Sequence, residues 1–208
     1  MNDCLSAMPQ RAKFRAGASL LVLLAVAGCK SAPKVDPSPL EQAGMYFNNV
    51  AQLRQFNLTQ DEVSQLAQAR QAGLTDEDCA ALISAARRHG VAFREGDSIA
   101  GLLRAGFTES AVMTLVHLDQ LDLAGEAQIM KLAGLSDEVI LALARRRNAG
   151  QPSLSSAKAA ELRNAALTNA QIVEAVNRGD TDAQADAIIA AHNRATKVFI
   201  RQQGRRRR

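Results

Sequence analysis

One six-residue motif recurs along this chain of 208 residues and constrains its fold more than any other feature. Its clear copies are Ala72-Gly73-Leu74-Thr75-Asp76-Glu77, Ala105-Gly106-Phe107-Thr108-Glu109-Ser110 and Ala133-Gly134-Leu135-Ser136-Asp137-Glu138. Degenerate copies start at Phe56, around Leu58 and Thr59, and at Ala165, around Leu167 and Thr168. Glycine tolerates the left-handed backbone that ends a helix. The hydroxyl residue two positions on can cap the next helix by accepting a free backbone N–H. Four residues beyond each cap stands an apolar residue: Val63, Cys79, Val112, Ile140 and Ile172. Each pairs with the apolar residue just before its cap as a hydrophobic staple, which sets the angle at which the chain enters the helix. Glu62 and Gln171 complete capping boxes in two copies. Asp76, Glu77, Glu109, Asp137 and Glu138 put acid in the first turn, where the helix dipole favours it.

The motif therefore reads as helix, tight corner, helix. Between its central apolar residues the first interval is 16 residues and the later ones are 33, 28 and 32. Apolar residues follow helical spacing around the corners: Val112, Leu115 and Val116 after one, and Ile99, Leu102 and Leu103, then Ile129, Met130 and Leu132, before others. With no Trp, one Tyr and six Phe, the chain lacks the aromatics that strands favour. The expected fold is all-α: about ten short helices joined by Gly-Leu-Thr corners into a compact bundle or short α-solenoid. One helix is expected near Leu40–Phe56 and a last one over Asp182–Gln203, with longer turns at His89–Asp97, Leu121–Gly125, Gly150–Ser155 and Arg178–Thr181.

The N-terminus carries a different signal. Arg11, Lys13 and Arg15 precede an apolar run from Ala16 to Ala27, which is too short for the roughly 20 residues of a spanning helix. Val26-Ala27-Gly28-Cys29 closes it, in the order of a secretory signal peptide. These four residues resemble the lipobox of bacterial lipoproteins. The resemblance implies a diacylglycerol on the Cys29 sulfur, cleavage just before it and acylation of the new N-terminus. Lys30 in place of an aspartate implies sorting to the outer membrane of a Gram-negative envelope. The body resembles Ala-Gly-Leu/Phe-Ser/Thr-Asp/Glu helical segments found in uncharacterised bacterial envelope proteins, a resemblance that implies no activity. The expected organisation is a signal peptide over 1–28, a Pro-rich tether over 29–39, a helical-repeat domain over 40–203 and a disordered basic tail over 204–208.

Charge and chemistry narrow the function. The formal charge is +4 for the whole chain and +2 without residues 1–28, and Arg205, Arg206, Arg207 and Arg208 supply more than all of that excess. The basic balance is thus a property of the tail, which is suited to anionic lipid or an acidic envelope polymer. A helix-turn-helix reading fails because acids occupy the starts of the following helices, so no nucleic-acid partner is expected. His89, His117 and His192 match no metal-ligand spacing, and no nucleophile elbow or phosphate loop is present. No catalytic residue, metal or cofactor is assigned. Cys79, alone on an apolar face, reads as an inert buried thiol. Arg145-Arg146-Arg147 fits the end of a helix, and Arg178-Gly179-Asp180 fits a helix boundary better than an adhesion motif. The expectation is an envelope lipoprotein anchored in the membrane through Cys29, whose body binds or scaffolds a protein or peptide. The alternative is an enzyme or enzyme accessory of envelope metabolism. Cys29→Ala is expected to abolish lipid labelling and move the protein out of the membrane pellet. A variant that still pelleted, beside a wild type retaining its full N-terminus, would remove the anchor.

Overall fold

A computed structural model describes the backbone of residues 35–206 and the side chains of residues 35–198. Among these residues every regular element is helical. The helices are α1 (Ser38–Gln42), α2 (Phe47–Leu53), α3 (Gln60–Gln71), α4 (Asp76–Arg88), α5 (Gly96–Arg104), α6 (Glu109–His117), α7 (Ala124–Leu132), α8 (Asp137–Asn148), α9 (Ser156–Asn164), α10 (Asn169–Arg178) and α11 (Asp182–Arg206). Single 3-10 turns extend α2 (Arg54–Phe56) and precede α7 (Leu121–Leu123).

The helices stack in two rows. The odd row runs α1, α3, α5, α7, α9, α11, each packed on the next. In the even row α2 packs on α4, α6 on α8 and α8 on α10. Corners join the rows into hairpins, and all substantial contacts link elements at most two helices apart in chain order. Such a stack is a short solenoid, in which each unit touches only its neighbours. At Gly96 α5 comes close to α3: an added Cβ would lie 2.1 Å from the Gln65 carbonyl oxygen. Only glycine lets α5 come that near.

One terminal motif ends most of these helices. At the α5–α6 corner Gly106 has φ +88°, its N–H donates to the Leu103 carbonyl, and the Phe107 N–H donates to that of Leu102. This Schellman pair satisfies carbonyls that the helix leaves free. The same outer bond closes α1, α3, α4, α6, α7, α8, α9 and α10. The apolar corner residues Leu58, Leu74, Phe107, Leu135 and Leu167 are buried, as are their staple partners Val63, Cys79, Val112, Ile140 and Ile172. Each pair carries apolar surface out of water where two helices meet, at about 25 cal/mol per Å².

Several expectations need correction. The single helix expected over Leu40–Phe56 is broken at an unrecognised corner, Ala43-Gly44-Met45-Tyr46, with Gly44 at φ +83° and Met45 and Val50 buried as its staple. It escapes the motif because tyrosine replaces the hydroxyl cap. Met45 stands 29 residues before Leu74 and so restores the repeat spacing. The Leu58–Thr59 copy is out of register because it leads into odd-row α3, whereas the other four lead into the even row. The tether reaches only to Pro37, because α1 begins at Ser38 with Pro39 in its first turn, where the missing N–H costs nothing. Leu121–Gly125 is not a loop: its residues form the 3-10 turn and the start of α7, and the reversal is at Leu118–Gln120. α11 continues through Gly204 to Arg206, so the segment expected to be disordered begins as helix; arginine is a good helix former and its charge suits a helix C-terminus. Ile129 and Leu132, counted as apolar face, are exposed.

The caps divide. Thr59, Thr75, Thr108 and Thr168 each accept the N–H of the third helical residue. Ser136 has the same extended backbone but makes no cap bond, and its hydroxyl is buried without a partner. The failure is one of side-chain rotation, not of backbone. Thr108→Ala is therefore expected to cost about 1 kcal/mol, and Ser136→Ala close to nothing, since removing an unpaired buried hydroxyl is neutral or favourable. Urea denaturation of the two variants checks this; equal losses would place a working cap at Ser136.

Candidate functional site

The residues named from the motif come together as architecture. A ladder of hydrogen bonds runs between successive helix N-termini. The N-cap N–H of one unit donates to the first helical side chain of the next unit in the same row. Tyr46 N–H reaches Asp76 Oδ2 at 3.0 Å, Thr75 N–H reaches Glu109 Oε1 at 2.5 Å and Thr108 N–H reaches Asp137 Oδ2 at 3.0 Å. Ser136 N–H reaches Asn169 Oδ1 at 3.3 Å, and in the odd row Ser155 N–H reaches Asp182 Oδ1 at 2.8 Å. Three of the five acids that the sequence assigned to the helix dipole, Asp76, Glu109 and Asp137, thus also fasten one unit to its neighbour. Asp76 additionally receives Arg70 Nε at 2.6 Å and Asn49 Nδ2 at 2.7 Å. Burial pushes the Asp76 carboxyl up, but these donors outweigh it and hold the group below its ordinary value. Asp137 is held down in the same way against its own burial, by Lys131 and Thr108.

A second polar centre was not legible as a pair in the sequence. Glu62, 1% exposed, accepts both terminal guanidinium nitrogens of Arg87 at 2.7 Å, the Phe93 N–H at 3.0 Å and the Thr59 N–H at 2.9 Å. Arg87 Nε donates to the Phe56 carbonyl at 3.0 Å. The Arg87 hydrogen bond outweighs burial and lowers the Glu62 carboxyl to about 2. Every strong donor here has a partner, so the cluster holds α3, α4 and the following loop together and leaves nothing for a ligand. The capping-box role of Glu62 was readable; its partner, 25 residues away, was not.

The other candidates resolve similarly. Cys79 is buried and its thiol is pushed up to about 12 by desolvation, which makes it a poor nucleophile. Arg146 donates to the carbonyls of Pro152 and Asn177, and Arg147 pairs with Asp122 at 2.8 Å. Arg178 and Asp180 pair with each other at 2.7 Å across Gly179, with Asp180 buried, so the tripeptide is folded upon itself. His89 and His117 are exposed and His192 is half-buried. Among the described residues no group of His, Cys, Asp and Glu has the arrangement of a metal site, and no helix is long and apolar enough to cross a membrane. The Cys29 lipidation motif, Arg207 and Arg208 lie outside the described residues, and Arg205 and Arg206 are described as backbone only.

What remains is a cavity of about 380 Å³ between α7, α8 and the loop before α9. Leu123, Met130, Ile140, Leu143 and Leu154 form its apolar lining. Glu126, Arg147, Gln151, Ser153 and Ser156 contribute polar groups. Glu126 Oε2 accepts the Ser156 hydroxyl at 2.7 Å, while the Ser153 hydroxyl oxygen is buried with no partner. On α7, Ile129 (66% exposed) follows Glu126 by three residues and flanks the cavity face, whereas Leu132 (85% exposed) lies on the side of the helix away from it. No sequence signal marked this site, because its walls come from separate elements. No family model, curated protein or solved structure matches the chain.

The Glu62 pair gives a pH test. Its carboxyl titrates lower folded than unfolded, so its stabilisation is complete above the ordinary glutamate range and is lost as pH falls through about 2. That contribution is roughly 3 kcal/mol. Glu62→Gln is expected to cost about 3–5 kcal/mol at pH 7, because Arg87 is left without its counter-charge. Urea denaturation at pH 7 and pH 2.5 should show the gap between wild type and variant narrowing at the lower pH. A constant gap would mean that the pair does not titrate as described.

Proposed function

We propose that this chain is a lipid-anchored envelope protein whose helical array serves as a binding module, seating a short apolar segment of a protein or peptide partner in the cavity beside α7. The observation that carries this reading is the cavity's composition. Its size is at the lower end of the range that holds small ligands, and its apolar floor suits one or two large side chains. Ile129, three residues on from Glu126, adds exposed apolar surface beside the lining residues of α7. Polar groups at the edge, such as the exposed Gln151 side chain, supply hydrogen bonds to a partner's backbone.

The anchor rests on the lipobox at Val26–Cys29, and outer-membrane sorting on Lys30. The arginines at the end of α11 then offer a further contact to anionic lipid or envelope polymer, at about 1 kcal/mol per basic residue near such a surface. An enzyme or enzyme accessory would call for a polar pocket with converging carboxylates or histidines. Among the lining residues here Glu126 is the single carboxylate, and it is engaged by Ser156. The cavity therefore favours binding over chemistry.

Site-specific photo-crosslinking in living cells tests this reading. A photoreactive residue at Gln151, on the cavity rim, should yield one discrete adduct; the same residue at Gln71, exposed at the end of α3, should not. Ile129→Glu, at an exposed position, should reduce the Gln151 adduct at least fivefold without changing helical content. The same adduct from both positions, or no adduct at Gln151, would overturn the assignment.

A further inference from the structure

Within the even row the entrance to α2 departs from the pattern of the others, and there it carries aromatic residues. At six of the helix entrances the N-cap is a hydroxyl residue: Thr59, Thr75, Thr108, Ser136, Ser155 and Thr168. At α2 it is Tyr46, whose side chain makes no cap bond. The first helical position of the later even-row helices carries the ladder acceptor: Asp76, Glu109, Asp137 and Asn169. At α2 it is Phe47. Tyr46 is 75% exposed and Phe47 68%. The other described aromatics, Phe56, Phe93 and Phe107, are buried or packed against the core. Two consecutive exposed rings in a chain so poor in aromatics are not explained by the helix they open, which would be better capped by threonine and acid.

Their place in the chain indicates what they meet. Val35, where the described structure starts, is six residues from Cys29, a span of at most about 22 Å fully extended. If Cys29 carries lipid, the first helix pair is held close to the bilayer surface. Phenol and phenyl rings partition to the headgroup level of membranes. Of the neighbouring exposed residues Gln42, Gly44 and Asn48 are uncharged, and Glu41 is the one carboxylate among them. We propose that Tyr46 and Phe47 form a second membrane contact, dipping into the headgroup layer and laying the first helix pair against the bilayer that holds the Cys29 lipid. This inference rests on the lipid-anchor reading.

The chain contains a single tyrosine and no tryptophan, so its tyrosine emission reports Tyr46 alone. The processed full-length protein is reconstituted into phosphatidylcholine vesicles with ordinary or brominated acyl chains. Emission is expected to fall at least twofold in the brominated vesicles, and Phe47→Ser should restore most of it. The mass of the N-terminal peptide reports separately whether Cys29 bears diacylglycerol. Equal emission in both vesicle types from a protein with lipidated Cys29 would overturn the aromatic contact and leave the anchor standing. Equal emission with an unmodified Cys29 would remove both. Quenching supports the contact, whichever state Cys29 is found in.

Discussion

A backbone N–H at the entrance of a helix has no partner within that helix, and this protein is organised around how that group is satisfied. In five places the N–H of the capping residue is bonded by a side chain from the next unit. The bond has a direction: the earlier unit gives the N–H and the later unit gives the oxygen. It fixes the order of stacking, the offset between units and the row in which each helix lies. At other entrances the cap is closed from within, as at Thr59 by Glu62 and at the last helix of each row. Thr168 N–H bonds Gln171, three residues on in α10, and Thr181 N–H bonds Gln184 in α11. These are the last helices of their rows, and their amide side chains do for them what a neighbour does elsewhere.

This accounts for most of the polar residues that a search for chemistry first meets. Glu62 and Asp76, both buried, sit at helix entrances, and buried Asp180 sits just past a helix end. Each has donors around it from its own corner or the adjacent element. Arginines at helix ends reach across to carbonyls of the next loop, as Arg146 does to Pro152. Groups engaged in this way are held in single positions and are not available to a ligand. The pattern is interrupted at the cavity beside α7 and at the aromatic pair of α2.

Local physics was readable from the chain, and non-local physics was not. The corners, staples and two capping boxes involve residues within about six positions of one another, so their spacing announces them. All ten staple residues are buried as their pattern requires. The row of the Leu58–Thr59 copy is not legible, because a corner into the odd row has the same local sequence as a corner into the even row. The Met45 corner escapes the motif because a tyrosine that makes no cap bond stands in the cap position. Glu62 and Arg87 meet only because α4 folds back along α3. The cavity has walls from three elements, and no short sequence window contains them.

Because each ladder bond links the same two positions of successive units, the unit of change in this protein is the helix pair. Removing residues 109–136, from the first position of α6 to the cap of α8, would join Thr108 directly to Asp137. A capping threonine would again be followed by an acid. Thr75 would find Asp137 where Glu109 had been, and Thr108 would find Asn169 where Ser136 had met it. Duplication at the same points would lengthen the stack with equal economy, whereas a cut inside any helix would strand an acceptor. A chain built this way changes length in steps of about thirty residues, with its two closed ends carried along intact.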